Sequence, residues 1–247
     1  MAIHDVVSCA NRRDFLRLAG GSAALLAAMP FAAFAAGPPV KIATIGSGHI
    51  GSTLGGLWVK AGHEVMFSSR HPEELKGLVD GLGAAAHAGT VEQAVAFGQV
   101  VLLAVPYSAM PQIGHDFAAQ LATKALVLDA SNPMVARDGE IATKAREMGA
   151  GLYSAQLFPG ARLVRAFNAI NYMKLSEDAH RQGERVAMPM AGDDAGALAL
   201  ASELVREIGL EPVVIGGLAA GKNLIPGTPL AGEHTADEVR KIAATLN

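Results

Sequence analysis

Gly46, Gly48 and Gly51 stand at GxGxxG spacing inside Val40–Arg70, which reads VKIATIGSGHIGSTLGGLWVKAGHEVMFSSR. Such a triplet serves to cradle a diphosphate on main-chain N–H groups. Gly46 turns the chain sharply, Gly48 has no Cβ to hold phosphates off the backbone, and Gly51 lets the following helix lie close to the sheet. Ser47, His49 and Ile50 fill the loop between the glycines. About 20 residues further on, an NAD site places Asp or Glu to accept from the ribose hydroxyls. This chain has Ser68, Ser69 and Arg70 there. Two hydroxyls and a guanidinium suit the 2′-phosphate of NADP, so NADP is the expected cofactor.

These residues need a strand, a turn and a helix to hold them. Val40, Ile42 and Ile45 supply a β-branched run before the glycines, and Leu54, Leu57, Trp58 and Ala61 recur at helical steps after them. The helix N-terminus adds unpaired N–H donors and a partial positive charge. Gly62 closes the helix, and Glu64 to Ser68 reads as a second strand.

The alternation continues. Pro72 opens a short helix with Leu75, Leu78 and Val79 on one face, and Ala84 to Ala86 reads as a short third strand. Thr90-Val91-Glu92-Gln93 is a capping box for a helix through Phe97. Val100 to Val105 is an unbroken apolar run, hence a strand buried on both faces. Ala104, Val105 and Pro106 close it at the edge where doubly wound sheets bind ligands. Ile113, Phe117 and Leu121 mark the next helix, and Ala125 to Leu128 the next strand. Polar breaks follow at Asp129-Ala130-Ser131-Asn132-Pro133 and, after a strand-like Leu163 to Phe167, at Asn168-Ala169-Ile170-Asn171-Tyr172. Asn132 reads as a contact to the nicotinamide carboxamide or as a plain Asn-Pro turn. Helix is expected over Ile141 to Met148 and again between Gly151 and Phe158. Strands are expected over Val186 to Ala191 and Glu211 to Ile215, with a helical stripe from Leu198 to Ile208. A second capping box at Thr235 to Glu238 starts a helical tail. The expected fold is α/β: a Rossmann-type, doubly wound, mainly parallel sheet in a single compact domain.

The 247 residues are 51% apolar, enough for a large core. The first 35 read as a targeting segment. Asn11-Arg12-Arg13-Asp14-Phe15-Leu16-Arg17 resembles the twin-arginine export motif, a weakly apolar run follows, and Ala33-Phe34-Ala35 supplies a cleavage pattern. The expected domains are thus a signal over 1–35 and an NADP-binding domain with its helical tail over 36–247, located in the periplasm or beyond. Cleavage removes Cys9, the chain's one cysteine, so disulfides and thiol chemistry go with it. It also removes three arginines and two aspartates, taking the net charge from −3 to −4. That acidic balance speaks against nucleic acid, and no stable membrane span is expected once the signal is gone.

No catalytic constellation stands out. The histidines are scattered without metal-ligand spacing, so no metal is expected. His49 lies in the glycine loop, either touching phosphate or substrate or simply filling the loop. Tyr107 reads as a proton donor to a carbonyl or imine or as aromatic packing, and Asn168 as a polarising group.

The glycine loop, SSR, AVP, DASNP, VRAFNAINY, MAGDD and a late GG-L segment together resemble the NADP-dependent deazaflavin (coenzyme F420) reductase family. That family includes the reductase domain of the six-transmembrane metalloreductases and is more distantly similar to pyrroline-5-carboxylate reductase. The resemblance implies hydride transfer between NADP and a flavin-like acceptor. Ser47, Gly48, His49 and Ile50 match the family's pyrophosphate loop and Ser69 and Arg70 its 2′-phosphate pair. Val105 and Ala169 match contacts on the nicotinamide side. Glu74 stands where some members carry a basic residue, leaving Lys76 as a substitute, and the Gly217 to Pro226 segment lacks the family's Arg and Glu. The implied partner is a small-molecule electron acceptor (deazaflavin, flavin or quinone-like), with a homodimer left open. Two rival readings are a reductase of a small carbonyl or imine and an exported NADP-binding sensor or subunit without turnover.

Overall fold

In the computed structural model, residues 38–246 are described; the expected signal over 1–35 lies outside them. The described chain builds one eight-stranded sheet. Its strands are β1 (Lys41–Ile45), β2 (Glu64–Ser68), β3 (Ala86–Gly89), β4 (Val100–Leu103), β5 (Leu126–Asp129), β6 (Leu163–Arg165), β7 (Ala187–Gly192) and β8 (Glu211–Gly216). Their order is β3-β2-β1-β4-β5-β6-β7-β8, every pairing parallel except β6 with β7. This is the doubly wound, mainly parallel fold expected.

Helices cover both faces because the strands are apolar on both. Along β4, Val100 and Leu102 enter one core cluster and Val101 and Leu103 the other. Adjacent side chains point to opposite faces, so a continuous apolar run must be buried on both sides. The first cluster is roofed by α1 (His49–Lys60), α2 (Lys76–Leu82), α8 (Tyr172–Asp178) and α9 (Ala195–Glu207). The second lies under α3 (Val91–Phe97), α4 (Met110–Leu121), α6 (Glu140–Met148) and α7 (Ala150–Leu157), with α5 (Val135–Asp138) leading into them. The tail helix α10 (Ala236–Ala243) buries Val239 in a third cluster with β7 and β8.

The capping boxes at Thr90 and Thr235 form with both reciprocal bonds. Asp194 caps α9 by accepting from the Ala197 N–H. Three expectations shift. The third strand begins at Ala86 and runs to Gly89, β4 stops at Leu103 and β6 at Arg165. Each strand ends where pairing with its neighbour ends, and a single sequence cannot show that. Helix α8 carries no long apolar stripe and was not expected. It is started by the Asn171 side chain, which accepts from the Met173 N–H.

Candidate dinucleotide site

The chain order reverses direction between β1 and β4, and ligands of doubly wound sheets bind in the crevice outside that point. A cavity of about 950 Å³ opens there. Gly46, Ser47 and Gly48 form its floor, Ser68, Ser69 and Arg70 one wall, and Val105 and Pro106 the other.

The three glycines divide by what demands them. Gly46 has φ +92°, and a Cβ there would sit 2.6 Å from the Ala104 carbonyl oxygen. A Cβ on Gly51 would collide with the Gly46 carbonyl. Both are therefore needed by the fold itself. Gly48 is different: it lines the cavity, and a Cβ there would meet nothing within 4 Å. The protein leaves open space in front of that backbone, as a diphosphate pressed against main-chain N–H groups requires. The residues present thus fit a dinucleotide.

The ribose side is trimmed by the structure. The Ser68 side chain is buried and donates to the Thr44 carbonyl at 2.8 Å, while its own carbonyl accepts from Ser47 Oγ at 3.0 Å. Its hydroxyl therefore braces β1 against β2 and does not face a phosphate, contrary to expectation. Ser69 Oγ accepts from the His71 N–H at 3.1 Å, which leaves its own proton to donate. Arg70 is exposed and makes no ion pair or hydrogen bond among the described residues. Lys76 is turned to Asp80, 2.6 Å away, and does not line the cavity. Arg70 is the one cation among the lining residues, which also include the carboxylates of Glu74 and Asp116. Gln112 and His115 hold the Asp116 carboxyl below its ordinary value, so it stays charged. Without Arg70 the rim would repel an anion.

The structure also adds a wall. Leu75, Val91, Ala109, Ile113 and Phe117 line the cavity beyond Arg70. Ile113 and Phe117 were legible only as the core face of a helix; nothing in their spacing shows that one end of that stripe reaches a crevice. An apolar slot beside the ribose end suits a flat purine.

Several expected contacts are used elsewhere. Tyr107 is fully buried; its hydroxyl donates to the Ala150 carbonyl and lies 3.0 Å from Ser154 Oγ. Burial, with the Asp129 charge nearby, pushes that phenol far above its ordinary range. It reaches no substrate and is a poor acid, so the proton-donor reading fails. Asn168 is also buried, its amide donating to the carbonyls of Asp129 and Ser131. Asn132 donates to the Asn168 carbonyl at 2.8 Å. The two polar breaks are thereby stitched together, and Asn168 acts as a brace. Ala104, Ile50, Asn132 and Ala169 do not line the cavity, and the Ala169 carbonyl accepts from the Gly232 N–H. His49, exposed at the first position of α1, stacks on Tyr172 with centroids 4.3 Å apart and planes 9° from parallel.

Beneath these loops lies a buried ion pair that the sequence did not reveal. Arg165 and Asp129 are both fully buried and meet at 2.6 Å. Ser154 and Ser131 donate to Asp129, and Arg165 also reaches the carbonyls of Ser131 and Leu224. Just beyond, Phe167 adopts φ +67°, a left-handed conformation rare for a bulky residue. It is held there by core packing, edge-on to Trp58 at 6.1 Å. That kink turns Asn168 back under the β5 loop.

Residues 41–133 match the family model described as "NADP oxidoreductase coenzyme F420-dependent". They contain the glycine loop, Ser69 and Arg70 and both walls of the cavity. Across 187 residues the chain is 32% identical to the metalloreductase STEAP3 of Rattus norvegicus, over 74% of this chain and 35% of that protein's length. The chain thus spans about a third of its curated relative. A hypothetical protein from Sinorhizobium meliloti shares the fold with TM-score 0.64 and 27% identity, covering 80% of this chain and 95% of the other. An Arthrobacter structure described as an F420-dependent NADP reductase gives TM-score 0.63 at 21% identity, covering 74% and 87%.

Proposed function

We propose that the chain is an NADPH-dependent oxidoreductase that passes a hydride to a planar, flavin-like acceptor. The observation carrying this reading is the open face of Gly48 beside a free Arg70, within residues of the F420-dependent NADP oxidoreductase family. Gly46, Ser47 and Gly48 would hold the diphosphate, Ser69 and Arg70 the 2′-phosphate, and the slot of Leu75, Ile113 and Phe117 the adenine. Bound there, NADPH supplies a hydride from its nicotinamide ring. The protein's own task is placement, and orientation alone can lower such a barrier by roughly 7–11 kcal/mol. The Asn132–Asn168 stitch and the buried Asp129–Arg165 pair serve it by fixing the loops after β5 and β6.

A small carbonyl or imine substrate would need a proton donor beside the acceptor; Tyr107 and the Asn168 amide are both committed inward, which leaves the exposed His49, stacked on Tyr172, as the one candidate of the three still able to supply it. The same commitment favours, as a second reading, an NADP-binding subunit without turnover. From Arg12-Arg13 and its flanking residues we also infer export through the twin-arginine pathway. NADPH oxidation with flavin, deazaflavin, quinone and small imine acceptors, alongside calorimetry with NADP+, separates the readings. Heat with NADP+ and turnover with planar acceptors is expected. Binding without turnover selects the subunit reading, and absence of heat with either dinucleotide refutes all three. Mass spectrometry of exported protein gives the start residue, expected near position 36; a chain that retains residues 1–35 refutes cleavage.

A further inference from the structure

The stack of His49 on Tyr172 belongs to neither core cluster nor cavity. His49 opens α1 directly after Gly48, and Tyr172 opens α8 directly after the loop that carries Asn168 and Ala169. The pair therefore bridges the glycine loop and the loop after β6, and on the dinucleotide reading these two segments lie towards the nicotinamide end. The imidazole makes no hydrogen bond among the described residues; its partner is the Tyr172 ring. His49 is exposed, so with one face on Tyr172 the other meets solvent. Next along the chain, Met173 is 54% exposed, an apolar side chain left at the same loop.

A near-parallel pair at this spacing has the geometry in which a third flat ring continues the stack. Aromatic and imidazole faces favour large planar partners, because contact area and dispersion grow with ring size while a small ketone offers neither. We propose that the His49–Tyr172 pair is the specificity element for the acceptor, a stacking platform that selects a planar polycyclic ring over a small carbonyl or imine. This rests on the dinucleotide reading of the adjacent cavity. Tyr172 acts as a positioning residue that holds the imidazole flat, with no role for its hydroxyl.

Riboflavin is the probe, its fluorescence quenching titrated against full chain saturated with NADP+. Three proteins are compared: unaltered, Tyr172→Leu and Tyr172→Phe, each checked for its melting transition and for NADP+ affinity by calorimetry. Tyr172→Leu is expected to weaken riboflavin binding about tenfold, Tyr172→Phe to retain it, and both to bind NADP+ like the unaltered chain. Riboflavin affinity equal in the Leu and unaltered proteins overturns the platform. So does absence of quenching in an unaltered chain that binds NADP+, a result that leaves the cavity assignment standing. A chain that takes up no NADP+ removes both. If Tyr172→Leu does not fold, Tyr172→Met replaces it, with the same tenfold loss expected and equal affinity again overturning the proposal.

Discussion

Gly48→Ala separates the needs of the fold from those of the ligand. The backbone at Gly48 has φ −71° and ψ −165°, which alanine adopts freely, and the added methyl meets no protein atom within 4 Å. Replacing glycine by alanine gains about 0.4–1 kcal/mol through lost freedom in the unfolded chain, but Gly48 is the N-cap of α1, where alanine is disfavoured relative to glycine by a similar amount. The two effects nearly cancel, so at about 2–4 °C per kcal/mol for a domain of this size the melting temperature should move by no more than about 4 °C. The same methyl projects into the cavity floor where the diphosphate would lie. Forcing a methyl into a close contact costs about 1–3 kcal/mol, which is roughly a 5- to 150-fold loss of NADP+ affinity. Calorimetry and a thermal melt on the same sample measure both. Gly46→Ala and Gly51→Ala are the controls: the first is strained at φ +92° and presses on Ala104, the second strikes the Gly46 carbonyl, so both should lower stability outright. A Gly48→Ala protein that keeps its fold and binds NADP+ unchanged would show that the diphosphate does not lie on this loop.

Arg70→Asp should weaken NADP+ roughly 10- to 150-fold, the worth of a lost charge-assisted hydrogen bond, and weaken NAD+ much less. An unchanged preference between the two, by calorimetry, would remove Arg70 from the phosphate site. Arg165→Met leaves Asp129 buried without its cation and should cost about 3–5 kcal/mol in urea unfolding; a loss below about 1 kcal/mol would show that the pair is not needed. Asp138 ties the N–H groups of Ser108 and Met134 to Arg137. Burial pushes its carboxyl up, but Arg137 and these N–H donors outweigh it and hold the pKa below the ordinary 3.8. A depressed folded pKa stabilises above the unfolded value, so this contribution is present above about pH 4 and fades as pH falls through the lower folded value. Asp138→Asn should flatten that acid limb of a stability-against-pH curve; an identical limb in the variant would count against the assignment.

The strand and helix alternation, both capping boxes and the glycine loop were legible in the sequence because each depends on local chemistry. An apolar run, a threonine three residues before Gln or Glu, and glycines at fixed spacing act within a few residues of themselves. Ser69 and Arg70 follow the second strand at a set distance from the loop, and the structure places both at the cavity. What only the tertiary structure decided was where each side chain's polar atoms are spent. Ser68 and Ser69 are neighbours of one type, yet strand alternation turns the first inward onto Thr44 and leaves the second at the rim. Tyr107, Asn168 and Asn132 looked chemical by type and position, but Ser154, the Asp129 carbonyl and the Asn168 carbonyl, distant in sequence, claim their hydrogen bonds. The Asp129–Arg165 pair and the His49–Tyr172 stack join residues 36 and 123 positions apart. Composition and period carry no trace of such pairings, because they exist only once packing has brought separate strands and loops to one edge of the sheet.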